Sequence, residues 1–169
     1  MVQASALRVA RVALCGLGLL LGLGACGFHL QGRMPLPESV RTVYLDVTDA
    51  QSDFAQALRA SLVSSGARLL DGPSPAASTV QVSRDRVTER VLTVSARNIP
   101  TDYELTYEVE IVVRGAGREL IAPEPLSLSR VYSFDERQLL AKDREKQVLQ
   151  DALARDMAGV VMRRLSSLP

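Results

Sequence analysis

Between Tyr103 and Val113 apolar side chains take every second position. Tyr103, Leu105, Tyr107, Val109, Ile111 and Val113 alternate with Glu104, Thr106, Glu108, Glu110 and Val112. A period of two marks a strand with one buried and one wet face. Such a strand needs partners along its edges and a layer over its apolar face, so it commits the chain to a sheet covered on one side. The flanking segments supply the partners. Thr79 to Val94 is strand-rich, but Val80 and Val82 stand in one phase and Val87 and Val91 in the other, so a bulge is expected near Arg84–Arg86. Arg114-Gly-Ala-Gly-Arg118 turns the chain, after which Leu126, Leu128, Tyr132 and Phe134 share a face with Arg130 between them.

The covering layer is helical. After a strand between Val40 and Val47, Asp49 or Ser52 can cap a helix whose Phe54, Leu58 and Leu62 recur every four residues, and Gly66 can end it. Ala67 to Leu70 is a candidate short second strand before the loop Asp71-Gly-Pro-Ser-Pro75. A second helix closes the sequence. Ser133 and Glu136 have capping-box spacing, with Asp135 as the other candidate cap. Leu149, Leu153, Met157, Val160, Val161 and Leu165 trace a stripe of 3.6-residue period, with Gly159 inside it as a possible close-packing point and Arg144, Asp151, Arg155 and Arg163 outside it. The expected fold is α+β: one domain over 39–168, with two helices packed on one face of a mostly antiparallel sheet. Glu104, Thr106, Glu108, Glu110, Ser127 and Ser129 are expected on the opposite, solvated face.

The first 25 residues read as something other than fold. Arg8 and Arg11 precede the apolar run Val12–Leu23, which Gly24-Ala25-Cys26 closes, and no acid occurs before Glu38. A basic start, a short apolar core and small residues at a cleavage point form a secretory signal, and the run is too short and glycine-rich to span a bilayer. Leu23-Gly24-Ala25-Cys26 resembles a bacterial lipobox. The expectation is therefore a cleaved signal at 1–25, lipidation of Cys26, and a tether at 26–38 that Pro35 and Pro37 keep extended. Cleavage removes two arginines and no acids, leaving 18 basic against 19 acidic residues, net −1. A balance so near zero gives no reason to expect nucleic acid. Cys15 leaves with the signal and Cys26 carries lipid, so no thiol remains for a disulfide, a metal or a nucleophile.

No catalytic constellation and no metal site is found. The single histidine, His29, lies three residues from the lipid site, where no folded pocket can hold its imidazole. Glu104, Glu108 and Glu110 at period two project from an open sheet face rather than into a site that would tune them. Gly115 and Gly117 form no phosphate loop without a following helix. Two basic spots remain: Arg97 at the tip between two long strands, and Lys142 in the first turns of the last helix, where a cation opposes the macrodipole. Ordinary surface charge and an anion site both accommodate them. In a meander every second connection falls at the same sheet end, so the connections at 94–102 and 133–139 should lie together.

Three stretches resemble the LptE family of lipopolysaccharide-assembly lipoproteins of Gram-negative outer membranes. They are Cys26-Gly-Phe-His-Leu30; Ser95-Ala-Arg97-Asn98 followed by Tyr103; and Arg130-Val-Tyr-Ser-Phe-Asp135 leading into Leu140-Ala-Lys142-Asp143. The likeness covers essentially the whole chain after residue 25, although the sequence stops at Pro169 without the polar tail of some relatives. It implies two helices on one side of a mixed four-stranded sheet, and a role without catalysis. It further implies a tight complex with LptD, a large outer-membrane β-barrel, in whose lumen the protein sits as a plug while lipopolysaccharide passes to the cell surface. The position is then the outer membrane, lipid-anchored on the periplasmic side and in the barrel lumen. No cofactor is implied beyond the N-acyl and S-diacylglycerol lipid on Cys26, and Arg97 and Lys142 fall at the positions that contact lipopolysaccharide. The alternative reading is an auxiliary or pilot lipoprotein of another envelope transport or secretion system.

Overall fold

Strand β4 (Pro100–Gly115) follows the alternation of its sequence: Leu105, Tyr107, Val109, Ile111 and Val113 are all buried, while Glu104, Thr106, Glu108 and Glu110 are not. Val112 departs from the pattern, being 5% exposed outside the main core. The computed structural model describes residues 35–133 and 139–169, without the side chains of 139–143. The expected signal segment, Cys26 and the tether as far as residue 34 lie outside the described residues. So do Asp135 and Glu136.

Around β4 the described residues form β1 (Thr42–Val47), α1 (Asp53–Ser64), β2 (Arg68–Leu70), β3 (Ser78–Val94), β5 (Arg118–Ser133) and α2 (Leu139–Ser166). The strand order is β2-β1-β3-β4-β5. This corrects the expected count of four strands, since there are five; the sheet is mixed, as the resemblance implies, but two of its four pairings are parallel, so it is not mostly antiparallel. β1 runs parallel to β2 on one side and to β3 on the other, whereas β3–β4 and β4–β5 are antiparallel. The cause is α1. A helical crossover returns the chain to the start of the sheet, so the strand after it must run parallel to the strand before it. The loop from Asp71 to Ala77 then brings β3 in beside β1 in the same sense.

The bulge in β3 lies at Ser83, just ahead of the expected position. Val82 pairs with Ile111 and Arg84 with Glu110, leaving Ser83 as the extra residue, and its Oγ donates to Glu110 Oε1 at 2.8 Å. One inserted residue moves Asp85 and Val87 onto the face that Val80 and Val82 occupy, which resolves the change of phase.

Ser52, not Asp49, caps α1: its Oγ accepts from Ala55 N at 3.1 Å, while Asp49 Oδ1 accepts from Gln51 N two residues on. At the other end Gly66 has φ +87, Ala67 N donates to Leu62 O and Gly66 N to Val63 O, both at 3.0 Å. These bonds satisfy the last carbonyls, and the buried Ala67 seals the turn. Ser133 ends β5, and its Oγ donates to Asp102 Oδ1 at 2.7 Å; the capping-box reading with Glu136 falls on residues outside the described ones.

Both helices share one core with the odd-numbered face of β4. Phe54, Leu58 and Leu62 come from α1, and Leu153, Met157, Val161 and Leu165 from α2, each at most 1% exposed. Burying each such side chain contributes about 1.5–3 kcal/mol. Leu149 and Val160 pack at the margin. Leu36, just before the 3-10 turn Glu38–Val40, is 7% exposed and joins this core. Gly159 is not a close-packing point, because a Cβ there would meet only Arg163 Nη1 at 3.7 Å. No described helix is long and apolar enough to cross a membrane.

Candidate functional site

The tip carrying Arg97 is built by the five residues, 95–99, that join β3 to β4, three of them inside the Ser95–Ile99 pair. Ser95 N donates to Ile99 O at 2.8 Å and Asn98 N to Ser95 O at 2.9 Å, while Ser95 Oγ accepts from Ile99 N at 3.2 Å. Asn98 takes φ +59. A tight turn followed by a left-handed residue is the usual three-residue hairpin, and asparagine tolerates that conformation better than most residues. Ala96 and Arg97 therefore stand at the apex, both exposed.

The sheet register fixes what shares that end. Val94 pairs with Pro100, and Asp102 with Ser133, so the hairpin tip and the exit of β5 lie together, as the meander argument requires. The β4–β5 turn lies at the opposite end, where Ala116 and Gly117 both take positive φ, as a two-residue hairpin demands. Lys142 belongs to the first turns of α2, but its side chain lies outside the described residues.

Behind the tip, the helix-facing side of the sheet is polar in a way the sequence pattern did not reveal. Tyr103 and Tyr132 stack at 5.4 Å. Tyr132 donates its hydroxyl to Glu89 Oε1 at 3.0 Å, and Lys146 of α2 forms an ion pair with Glu89. Burial, and then the Glu89 carboxylate, push the Tyr132 phenol well above its ordinary pKa, so it stays a donor. Arg130 reaches Asp156 of α2 at 2.6 Å, and Arg164 pairs with Glu124. Lys146, through Glu89, ties α2 to β3. Further along the same face, Asp85 accepts from Ser52 Oγ at 2.5 Å and from Tyr107 Oη at 2.7 Å, joining the α1 cap to β4. The phenol of Tyr107 is raised by burial first and by Asp85 second. Only distant partners distinguish these charges from surface ones.

The other face of the sheet is a ladder of cross-strand polar pairs. Arg90 meets Glu104 at 2.5 Å, Arg86 meets Glu108 at 2.8 Å, Thr106 and Ser129 share a bond of 2.9 Å, and Arg114 donates to Gln81 at 2.8 Å. The carboxylates considered as a possible acid–base pair are therefore engaged by β3, and the Arg86 hydrogen bond holds Glu108 below the ordinary carboxylate range. A carboxylate so held is a poor proton donor or acceptor near neutral pH. Among the described residues no group of three or more His, Cys, Asp or Glu converges as metal ligands would. Most charged groups of this face are hydrogen-bonded to one another across the strands, which suits an aqueous surrounding, and Val131 opposite Glu104 is an exposed apolar side chain among them.

Comparison with known proteins agrees with this architecture. A relative from Pectobacterium atrosepticum, the LPS-assembly lipoprotein LptE, is 25% identical over 157 residues, covering 90% of this chain and 83% of its own length. The crystal structure of rare lipoprotein B from Shewanella oneidensis superposes with a TM-score of 0.68 at 23% identity, over 75% of this chain and 94% of that one. The solution structure of lipoprotein B from Nitrosomonas europaea gives 0.69 at 22% identity, over 83% and 91%. These two solved structures share the fold. The model of the LptE family, described as lipopolysaccharide-assembly, matches residues 40–165, from the turn before β1 to the last turn of α2. The chain belongs to the LptE lipopolysaccharide-assembly family.

Proposed function

We propose that this chain is the non-enzymatic lipoprotein subunit of an outer-membrane lipopolysaccharide translocon, held by lipid at Cys26. In this reading it sits as a plug in the lumen of an LptD-type β-barrel, supports that barrel's assembly, and binds lipopolysaccharide at the sheet end bearing Arg97 and Lys142. The observation that carries the reading is the construction of that end. A tight hairpin holds an exposed guanidinium at its apex beside the exit of the strand that leads into α2. Guanidinium and ammonium groups bind lipid A phosphates through charge-assisted hydrogen bonds. The paired polar ladder of the open face supports a water-filled lumen as the surroundings, because its charged side chains are paired across the strands, while Val131 stands exposed beside them.

The test is lipopolysaccharide binding by the double variant Arg97→Asp with Lys142→Asp. A charge-assisted contact contributes about 1.5–3 kcal/mol, so affinity should fall about tenfold or more. The circular dichroism spectrum and co-purification with the barrel should be retained. Unchanged affinity in a folded variant would return both residues to ordinary surface charge.

A further inference from the structure

The end of the domain opposite the Arg97 tip carries an uneven distribution of charge that the proposed function does not use. The register places four arginines along it. Arg41 immediately precedes β1, Arg68 pairs with Thr42 at the start of β2, Arg114 pairs with Thr79 at the start of β3, and Arg118 pairs with Gly115 across the last turn. All four are exposed, as is Arg163 in the final turn of α2. The acids beside them are Glu38, which pairs with Arg41 at 2.9 Å, and Glu119 opposite Arg114. The far ends of β1 and β2 are charged the other way: Asp46, Asp49, Asp53 and Asp71 gather there, with Arg59 as the cation in the cleft that Asp46 and Asp71 line. The molecule is thus basic where its described chain begins and acidic at the other end of the same strands.

We propose that this arginine end is a docking surface for the anionic phospholipid headgroups of the bilayer that holds the lipid anchor. The proposal rests on the reading of Cys26 as the acylated residue. Only residues 27–34 separate Cys26 from the described domain, and even fully extended they reach about 28 Å. A tether of that length lets the arginine end, where the described chain begins, reach the headgroups, and the charge decides whether it stays there. Arginines near an anionic surface are attracted within a Debye length, and their fork geometry suits phosphate. The acidic clefts at the other end are repelled by the same field. Together these forces hold the arginine end at the level of the headgroups, with the Arg97 tip at the opposite end of the sheet.

The test reconstitutes the mature lipoprotein in phosphatidylcholine vesicles with and without phosphatidylglycerol. With Cys15 removed and Cys26 acylated, Ala76→Cys at the arginine end and Ala96→Cys at the tip each provide a single thiol for a fluorophore, read against lipids spin-labelled in the headgroup. The Ala76 probe should be quenched about twofold or more strongly with phosphatidylglycerol, and the difference should vanish at about 0.5 M salt. The Ala96 probe should not respond. Changing Arg41, Arg68, Arg114 and Arg118 together to Gln should abolish the difference, and changing them to Lys should keep most of it. The Lys variant decides the matter if the Gln variant does not fold. Equal quenching of the Ala76 probe in both vesicles overturns the proposal, as does a response seen only with lipopolysaccharide in the bilayer. A protein that floats with neither vesicle removes both the anchor and the docking surface. Flotation with phosphatidylglycerol vesicles alone, at low salt, keeps the docking surface and removes the anchor.

Discussion

Asp85 joins three elements, and removing it should cost more than an ordinary strand position. Its carboxylate accepts from Ser52 Oγ at 2.5 Å and from Tyr107 Oη at 2.7 Å. Ser52 is the cap of α1, and Phe54 in the first turn lies 6.2 Å from the Tyr107 ring, centroid to centroid. A hydrogen bond to a charged group contributes about 1.5–3 kcal/mol, so the two together bound the loss in Asp85→Ala at about 3–6 kcal/mol. Two effects reduce it. The half-buried carboxylate no longer has to be desolvated, and its repulsion of Asp53 disappears. The expected net cost is about 2–3 kcal/mol, a shift of about 1 M in the urea midpoint for a domain of this size. Tyr107→Phe, which loses one bond and keeps the ring, should cost about 1–1.5 kcal/mol. Because both changes break the same bond, the double variant should be more stable than additivity predicts by about 1 kcal/mol. Urea unfolding followed by far-ultraviolet circular dichroism measures all four proteins. Additive effects, or an Asp85→Ala midpoint equal to wild type, would show that the bridge contributes nothing to the joint between α1 and the sheet.

Two glycines should respond oppositely to alanine. A Cβ on Gly115 would fall 2.2 Å from Ser78 Oγ, which is tied to Ser39 O at 2.5 Å, and 3.0 Å from Leu120 Cδ1, so Gly115→Ala should destabilise by about 1–3 kcal/mol. Gly159→Ala meets no obstacle inside α2 and should stabilise by about 0.5–1 kcal/mol; thermal melts of the pair check the contrast. The Asp102 carboxyl is held below its ordinary range, first by the Ser133 hydroxyl and then by Thr93. A lowered folded pKa contributes stability that is complete above the ordinary aspartate value of about 3.9 and is lost as pH falls through the folded value. Ser133→Ala should therefore raise the Asp102 midpoint in a carboxyl-resolved NMR titration, and an unmoved midpoint would contradict the assigned cause.

The sequence revealed those parts of the fold that local chemistry dictates. The alternation from Tyr103 to Val113, the four-residue recurrence of Phe54, Leu58 and Leu62, and Gly66 as the helix stop each follow from one element's own needs. β2 was harder to read. Its three residues are too few to show a period, and its parallel pairing follows from the crossover through α1 rather than from Arg68, Leu69 or Leu70. The phase change in β3 announced a bulge near Arg84–Arg86 but not at Ser83 itself, because the Ser83–Glu110 bond that localises it joins positions 27 apart. Asp85, Glu89 and Arg130 occupy inward positions as charges, and nothing nearby in sequence names Ser52, Lys146 or Asp156 as their partners. Arg97 was readable as a tip residue because it stands between two long strands, whereas the left-handed Asn98 that shapes the turn emerges from the structure. The shared sheet end of the two connections followed from counting strands, while the stripe of α2 did not reveal that a Cβ on Gly159 would meet only the Arg163 side chain.

The claim that carries the account is membership in a lipopolysaccharide translocon, and purification of the native protein from membranes in mild detergent tests it most directly. The account predicts that one large outer-membrane β-barrel protein accompanies it in stoichiometric amount, and that depleting this chain lowers the level of correctly assembled barrel. Recovery of a secretin or an inner-membrane transporter in place of the barrel, with barrel levels unchanged on depletion, would contradict it.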